Sequence, residues 1–173
     1  MAYSVPQIDA ISFTGRDFRS ALGSFPSGVT VVTTRGADHT YGMTANAFSS
    51  LSLDPPLILV CAKAGGEGHE LIDANGIFAV NILASDQEPI SNYFASRERP
   101  RGRDAFSEIS HRAGISGSPI IDGCVAYLDC RLERSFEAGD HVVFVGEVVT
   151  LGIDPEAEPL LFHGGRYRLV ADP

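Results

Sequence analysis

The chain has 173 residues, enough for one substantial hydrophobic core and too few for two of ordinary size. Hydrophobic residues make up 44% and charged residues 20%, a balance that excludes disordered, collagen-like and coiled-coil classes. The formal charge of -9 repels phosphate backbones and argues against a nucleic-acid partner unless basic residues are tightly localised.

Met1 to Pro6 lacks the charged segment and apolar run of a secretory signal, and no apolar stretch approaches the length of a membrane span. A cytoplasmic protein with no membrane partner is therefore expected. Thr14 to Asp17 resembles a helix cap, and Phe18, Ala21, Leu22 and Phe25 recur at helical spacing until Gly23 and Pro26 break it, which predicts a short docking helix. Val29 to Arg35 is mostly β-branched and runs into the polar turn Gly36–His39, so a partner strand should return from about Tyr41. Asp54, Pro55 and Pro56 form a stop, and Leu57–Ala62 beyond it reads as a buried strand.

A glycine-rich loop, Lys63–Gly68, leads into a short helix over Glu67–Ala74, and Ile77–Leu83 is another apolar strand. Ser85 with Glu88 suggests a capping box for a helix through Phe94, after which residues 96 to 118 read as irregular. Cys124–Leu132, the turn Glu137–Asp140 and His141–Val149 form a hairpin, and Pro159–Phe162 leads into Arg166 and Tyr167. Strands predominate and their joins favour antiparallel pairing. The expected architecture is mainly β: a small antiparallel barrel with a few peripheral helices, in a single domain spanning 1–173 with its core over about 14–170.

The motifs of serine hydrolases, zincins, P-loop enzymes and Rossmann dehydrogenases are all missing. Cys61, Cys124 and Cys130 show no CxxC spacing and read as free thiols; if the last two share a strand they stand about 20 Å apart, too far to bridge. The five histidines have no metal-ligand spacing, so no metal site is expected. Arg97, Arg99, Arg101 and Arg103 are interleaved with acids, prolines and glycines and read as a solvated loop, with an anion-binding loop as the alternative.

Other segments carry chemistry. Lys63 is the only lysine in the chain and sits where a strand ends before Gly65, Gly66 and Gly68, either as an anion site at a helix start or as an ordinary turn. Gly42 to Ser50 gathers small residues, hydroxyls and an amide, suited to a flat heterocycle or to an irregular edge strand. His141 follows a glycine turn, where it can face a pocket mouth, and Asp140 shapes that turn.

Phe25–Thr33, Gly42–Ser50, Leu53–Leu57, Phe78–Leu83, Phe94 with Ala95, Gly139–His141 and Pro159–Phe162 with Tyr167 together resemble, in order and spacing, the flavin reductase-like family. These are small reductases that supply reduced flavin to two-component monooxygenases. The resemblance implies a split β-barrel of the FMN-binding, Greek-key antiparallel type, working as a homodimer with flavin near the subunit interface. It assigns cofactor binding to Ser27 and Val29, to Thr44, Ala45, Asn46 and Ser49, to Cys61, Ala62 and Lys63, to Gly66, and to Phe94 and Ala95. His141 is assigned to the nicotinamide side as the catalytic residue. In this chain Gly66 and Gly68 stand where many relatives carry serine and threonine as phosphate ligands, so Lys63 and backbone donors would carry that role.

The implied activity is NAD(P)H:flavin oxidoreduction, with FMN or FAD as flavin, NADH or NADPH as hydride donor, and a partner flavin-dependent monooxygenase reached through diffusing reduced flavin. Two alternatives use the same pocket: a flavin-dependent oxidase of the related split-barrel type, and a flavin carrier or sensor without catalysis.

Overall fold

The computed structural model describes residues 12–37 and 39–170; the N-terminal hexapeptide and Asp38 of the expected turn lie outside them. Helix α1 (Gly15–Gly23) starts at the expected cap, with the Thr14 hydroxyl accepting from the Asp17 amide at 3.2 Å and the Asp17 carboxylate accepting from the Thr14 amide at 2.8 Å. Strands β1 (Ser27–Gly28), β2 (Thr30–Arg35), β3 (Thr40–Ala45), β4 (Phe48–Leu53) and β5 (Pro56–Lys63) follow. Helix α2 (Glu67–Asn75), strand β6 (Ile77–Ile82) and helix α3 (Glu88–Ala95) come next. The chain closes with β7 (His111–Ala113), β8 (Pro119–Ile121), β9 (Ala126–Ala138), β10 (His141–Ile153), β11 (Leu161–His163) and β12 (Arg166–Arg168).

Seven strands form one sheet in the order β3-β2-β6-β9-β10-β5-β4, with every neighbouring pair antiparallel. Its two edges, β3 and β4, are consecutive in the chain and joined only by Asn46 and Ala47. Laid flat, such a sheet would hold its edges about 29 Å apart at the usual strand spacing. The link from Ala45 to Phe48 spans at most about 11 Å. The sheet must therefore curl into a barrel, open at one seam, and that seam is Asn46–Ala47. This is the expected split barrel.

Successive residues of a strand point to opposite faces, and β2 is buried on both. Val32 joins Val60, Phe78, Cys130, Phe144 and Ile72 of α2 in one apolar cluster. Val31 joins Val29, Leu83, Phe94, Phe106, Ile121 and Leu160 in a second, under α3 and the loop that follows it. Gly146 on β10 makes the first cluster possible, since a Cβ there would lie 2.4 Å from the Phe78 ring.

The structure departs from the expected elements in several places. Nothing in α1 is buried, so its apolar face stays open; its Gly23 carbonyl accepts from the Gly164 amide at 2.9 Å. Helix α3 has no Ser85 capping box: its N-cap is Gln87, whose side chain accepts from the Ala84 amide and donates to the Asp122 carbonyl. Residues 96–118 hold a 3-10 turn over Gly102–Phe106 and the strand β7, which pairs with β8. Strands β9 and β10 each run to 13 residues, longer than their apolar stretches, because each runs on past its other neighbour: β9 over 133–138 pairs only with β10, and β10 over 148–153 only with β9. Cys124 precedes β9 and so does not share a strand with Cys130; all three cysteines are free thiols. Pro56 opens β5 and does not precede it, a position where a missing amide costs no ladder bond.

Candidate functional site at the barrel seam

The site is set by register. Gly139, at φ 67°, and Asp140 form a two-residue turn in which Ala138 pairs with His141. Positive φ at the first turn position suits the right-handed strand twist and favours glycine there. The same ladder places His141 opposite Lys63 at the end of β5, while the Ala47 carbonyl accepts from the Cys61 amide. Seam, strand end and hairpin turn are thereby brought together.

A cavity of about 500 Å³ opens there, within the range of small-molecule sites. Of the residues expected to bind cofactor, Thr44, Ala45, Asn46, Cys61, Ala62, Lys63, Phe94 and Ala95 line it, together with His141. Val29 lines a smaller adjoining cavity of about 230 Å³, and Ser27 a third of about 570 Å³. Asn46 lines all three. Ser49 and Gly66 are placed elsewhere. The Ser49 hydroxyl is exposed on β4 and donates to the Ser50 carbonyl, and Gly66 is the N-cap of α2, its amide donating to the Lys63 carbonyl.

The side chains differ in what they have left to offer. The Thr44 hydroxyl donates to the Ser91 carbonyl at 2.6 Å, so it anchors β3 to α3, and its proton is committed. Asn46 and Ala47 fall between β3 and β4, which leaves their amides outside the ladder. His141 Nδ1 lies 2.8 Å from Asp140 Oδ1. A ring held this way carries its proton on Nδ1 when neutral and presents Nε2. The bond from His141, with added charge from His141 and Lys63, holds the Asp140 carboxyl below its ordinary range. Burial pushes the Cys61 thiol up, so it stays protonated as part of the apolar wall.

Several lining residues went unrecognised in the sequence. Arg97 and Arg99 line the same cavity, while Arg97, Arg101 and Arg103 are exposed, as in a solvated loop. Arg99 donates to the Gly42 carbonyl at 2.7 Å and stands 5.4 Å from the centre of the Tyr41 ring. Their sign was legible, but their direction depends on how the loop packs. Ser91, Phe162 and Tyr167 line the smaller cavity, and the Ser91 and Tyr167 hydroxyls are 2.8 Å apart.

A barrel split at one seam with a cavity of this kind defines a flavin-binding class of proteins, and comparison with known proteins agrees. The model of the flavin reductase like domain matches residues 22–171, and the chain belongs to that family. It is 45% identical over 154 residues to an NADH-dependent FAD reductase of Streptomyces globisporus, covering 88% of this chain and 84% of that one. It is 41% identical to HsaB of Mycobacterium tuberculosis, the reductase subunit of a flavin-dependent monooxygenase, over 88% of this chain and 80% of that one. Among solved structures it resembles BorF, the flavin reductase component of a bacterial two-component tryptophan halogenase, with a TM-score of 0.86 and 38% identity over 92% of this chain and all of that one.

The residues present fit a flavin. The cavity, at about 500 Å³, has the volume of a small-molecule site and is walled partly by Ala45, Ala62, Met43 and Phe94, with cationic side chains also on its lining. In the third cavity the Ser27 hydroxyl is buried without a hydrogen-bond partner among the described residues. A polar atom in that state calls for a ligand or solvent partner.

Proposed function

We propose that this protein is an NAD(P)H-dependent flavin reductase that supplies reduced flavin to a partner flavin-dependent monooxygenase. The observation that carries this reading is the convergence of Asn46, Lys63 and His141 on one cavity at the seam. A flavin bound there supplies a hydride acceptor, and a reduced nicotinamide supplies the hydride.

The rest is the work of the chain's own residues. The Asn46 and Ala47 amides, free of the ladder, are placed to donate to the polar edge of the ring and to stabilise negative charge developing there. Ser27 and Val29 approach from β1 and the link to β2, and Ala62, Phe94 and Ala95 exclude water. His141, oriented by Asp140, positions the nicotinamide amide through Nε2. Hydride transfer between two cofactors needs alignment more than proton transfer, so no residue is required as an obligatory acid or base.

The protein works as one domain and as a homodimer. Phe18, Leu22 and Phe25 leave an apolar face exposed, and Leu22 and Phe25 also line the third cavity beside Asn46. A second copy seated there would cover the face and complete the cavity wall. Light scattering after gel filtration should give twice the chain mass; a monomer at all concentrations contradicts it.

The activity is tested by steady-state oxidation of NADH and NADPH with FMN, FAD or riboflavin. Flavin-dependent turnover is expected with at least one pair. Turnover no faster than the buffer control, with flavin still bound, would point to a carrier; flavin bleaching by an amine without nicotinamide would point to an oxidase.

A further inference from the structure

We propose that His69, held by Asp73, is a positioning residue for the reaction: it braces the glycine loop against the turn that presents His141. The assignment rests on the reductase reading above and on the nicotinamide role given there to His141.

His69 belongs to α2 and lines none of the cavities at the seam. Its side chain is nonetheless only 23% exposed, and its ring centre stands 6.0 Å from that of Phe144, a fully buried residue of β10. Both ring nitrogens are engaged. The Gly65 amide donates to Nδ1 at 3.1 Å, and Nε2 lies 3.1 Å from Asp73 Oδ2, one turn further along the helix. The neutral ring therefore keeps its lone pair on Nδ1 and donates from Nε2, the reverse of the tautomer at His141. Asp73 is tied on its other side, where Oδ1 accepts from the Ser135 hydroxyl of β9 at 2.8 Å.

These bonds close a ring around the hairpin end. From Ser135, β9 runs on to Ala138 and the chain turns at Gly139 and Asp140, whose carbonyl accepts from the Ala64 amide at 3.0 Å. Gly65 comes next, at a φ of 68° that favours glycine, and its amide returns to His69. The Gly66 amide then donates to the Lys63 carbonyl at 3.1 Å. Of these three loop amides, two bond to backbone and one to a side chain. His69 is thus the point at which a substitution releases the loop and leaves the β5–β10 ladder whole. The Asp140 carboxylate, 2.8 Å from His141 Nδ1, carries the constraint from the turn to the nicotinamide histidine. A group that works by alignment is sensitive to small displacements of its support.

The test is steady-state NADH oxidation by wild type, His69→Ala and His69→Asn, each with and without His141→Ala, beside flavin binding read by fluorescence quenching. His69→Ala should raise KM for NADH about fivefold, the usual loss for one hydrogen bond, with kcat and flavin binding unchanged. His69→Asn keeps an acceptor oxygen where Nδ1 stands and should recover most of that loss. Because His69 acts through His141, His69→Ala should add nothing to KM on the His141→Ala background. An unchanged KM, a fall in kcat and flavin binding together, no recovery in His69→Asn, or additive effects in the double variant would each overturn the brace. Wild-type protein that binds flavin and oxidises no NADH would sink the reductase reading instead. Amide hydrogen exchange then decides the brace on its own: His69→Ala should speed exchange at Ala64 and Gly65 about fivefold and His69→Asn should restore it, whereas unchanged exchange contradicts it.

Discussion

Two walls of the seam cavity are held in place by different means. On one side the β5–β10 ladder fixes Lys63 and His141 through backbone register, down to a two-residue turn. On the other, the segment from Phe94 through the 3-10 turn is held by side chains: Arg99 on the Gly42 and Ser96 carbonyls, Tyr93 on the Ala105 carbonyl, and Phe106 against Phe94 with ring centres 4.9 Å apart. Functional side chains on a ladder can therefore be exchanged almost without structural cost. On the side-chain-held wall, binding and folding are coupled.

The largest expected effect comes from removing what stiffens the ladder wall. Phe78 is fully buried inside the barrel, against Gly146, and Phe78→Ala should cost about 3–5 kcal/mol in urea unfolding. A loss well under this would mean that the interior is looser than its packing implies.

Gly42→Ala strikes the other wall. A Cβ at Gly42 would sit 2.5 Å from the Phe94 ring, so overpacking should cost about 1–3 kcal/mol and weaken flavin binding together with stability. By contrast, Lys63→Ala on the ladder should weaken FMN and FAD, spare riboflavin and leave the unfolding midpoint unchanged. If Gly42→Ala changed stability alone, the two walls would not differ as described.

The smallest effect is the acid response of the Asp140–His141 pair. The folded Asp140 carboxyl titrates below its ordinary value of 3.8 because of His141. Its contribution is therefore present above that ordinary value and fades as pH falls through the lower folded value. His141→Ala should flatten this part of the thermal-midpoint profile below pH about 4, where unpaired aspartates titrate. An unchanged acid limb would show that the pair contributes nothing to folding at this exposed turn.

Much of the ladder wall was legible in the sequence, and little of the other. Ile77–Leu83 is an apolar run buried on both faces, Leu57–Ala62 is one that alternates between half-buried and buried positions, and Gly139 with Asp140 between two β-rich runs announces a hairpin. From these, the meeting of Lys63 and His141 follows once the register is counted. The arginine wall has no such periodicity. Its order comes from single bonds to distant carbonyls, such as Arg99 to Gly42, 57 positions apart. The Ser85 capping box failed for the same reason: Gln87 reached the Asp122 carbonyl, a partner 35 residues away, and the helix began on it. The absent hydroxyls at Gly66 and Gly68 were visible, but the spent amides beside them were not.

Anaerobic mixing of the protein with flavin and NADH, followed in the visible flavin band, tests the central claim most directly. The account predicts bleaching that requires the protein. In His141→Ala it should need more NADH to reach an unchanged saturated rate, because the histidine positions the nicotinamide and moves no obligatory proton. Absence of bleaching in the wild type, or collapse of the saturated rate in His141→Ala, would contradict it.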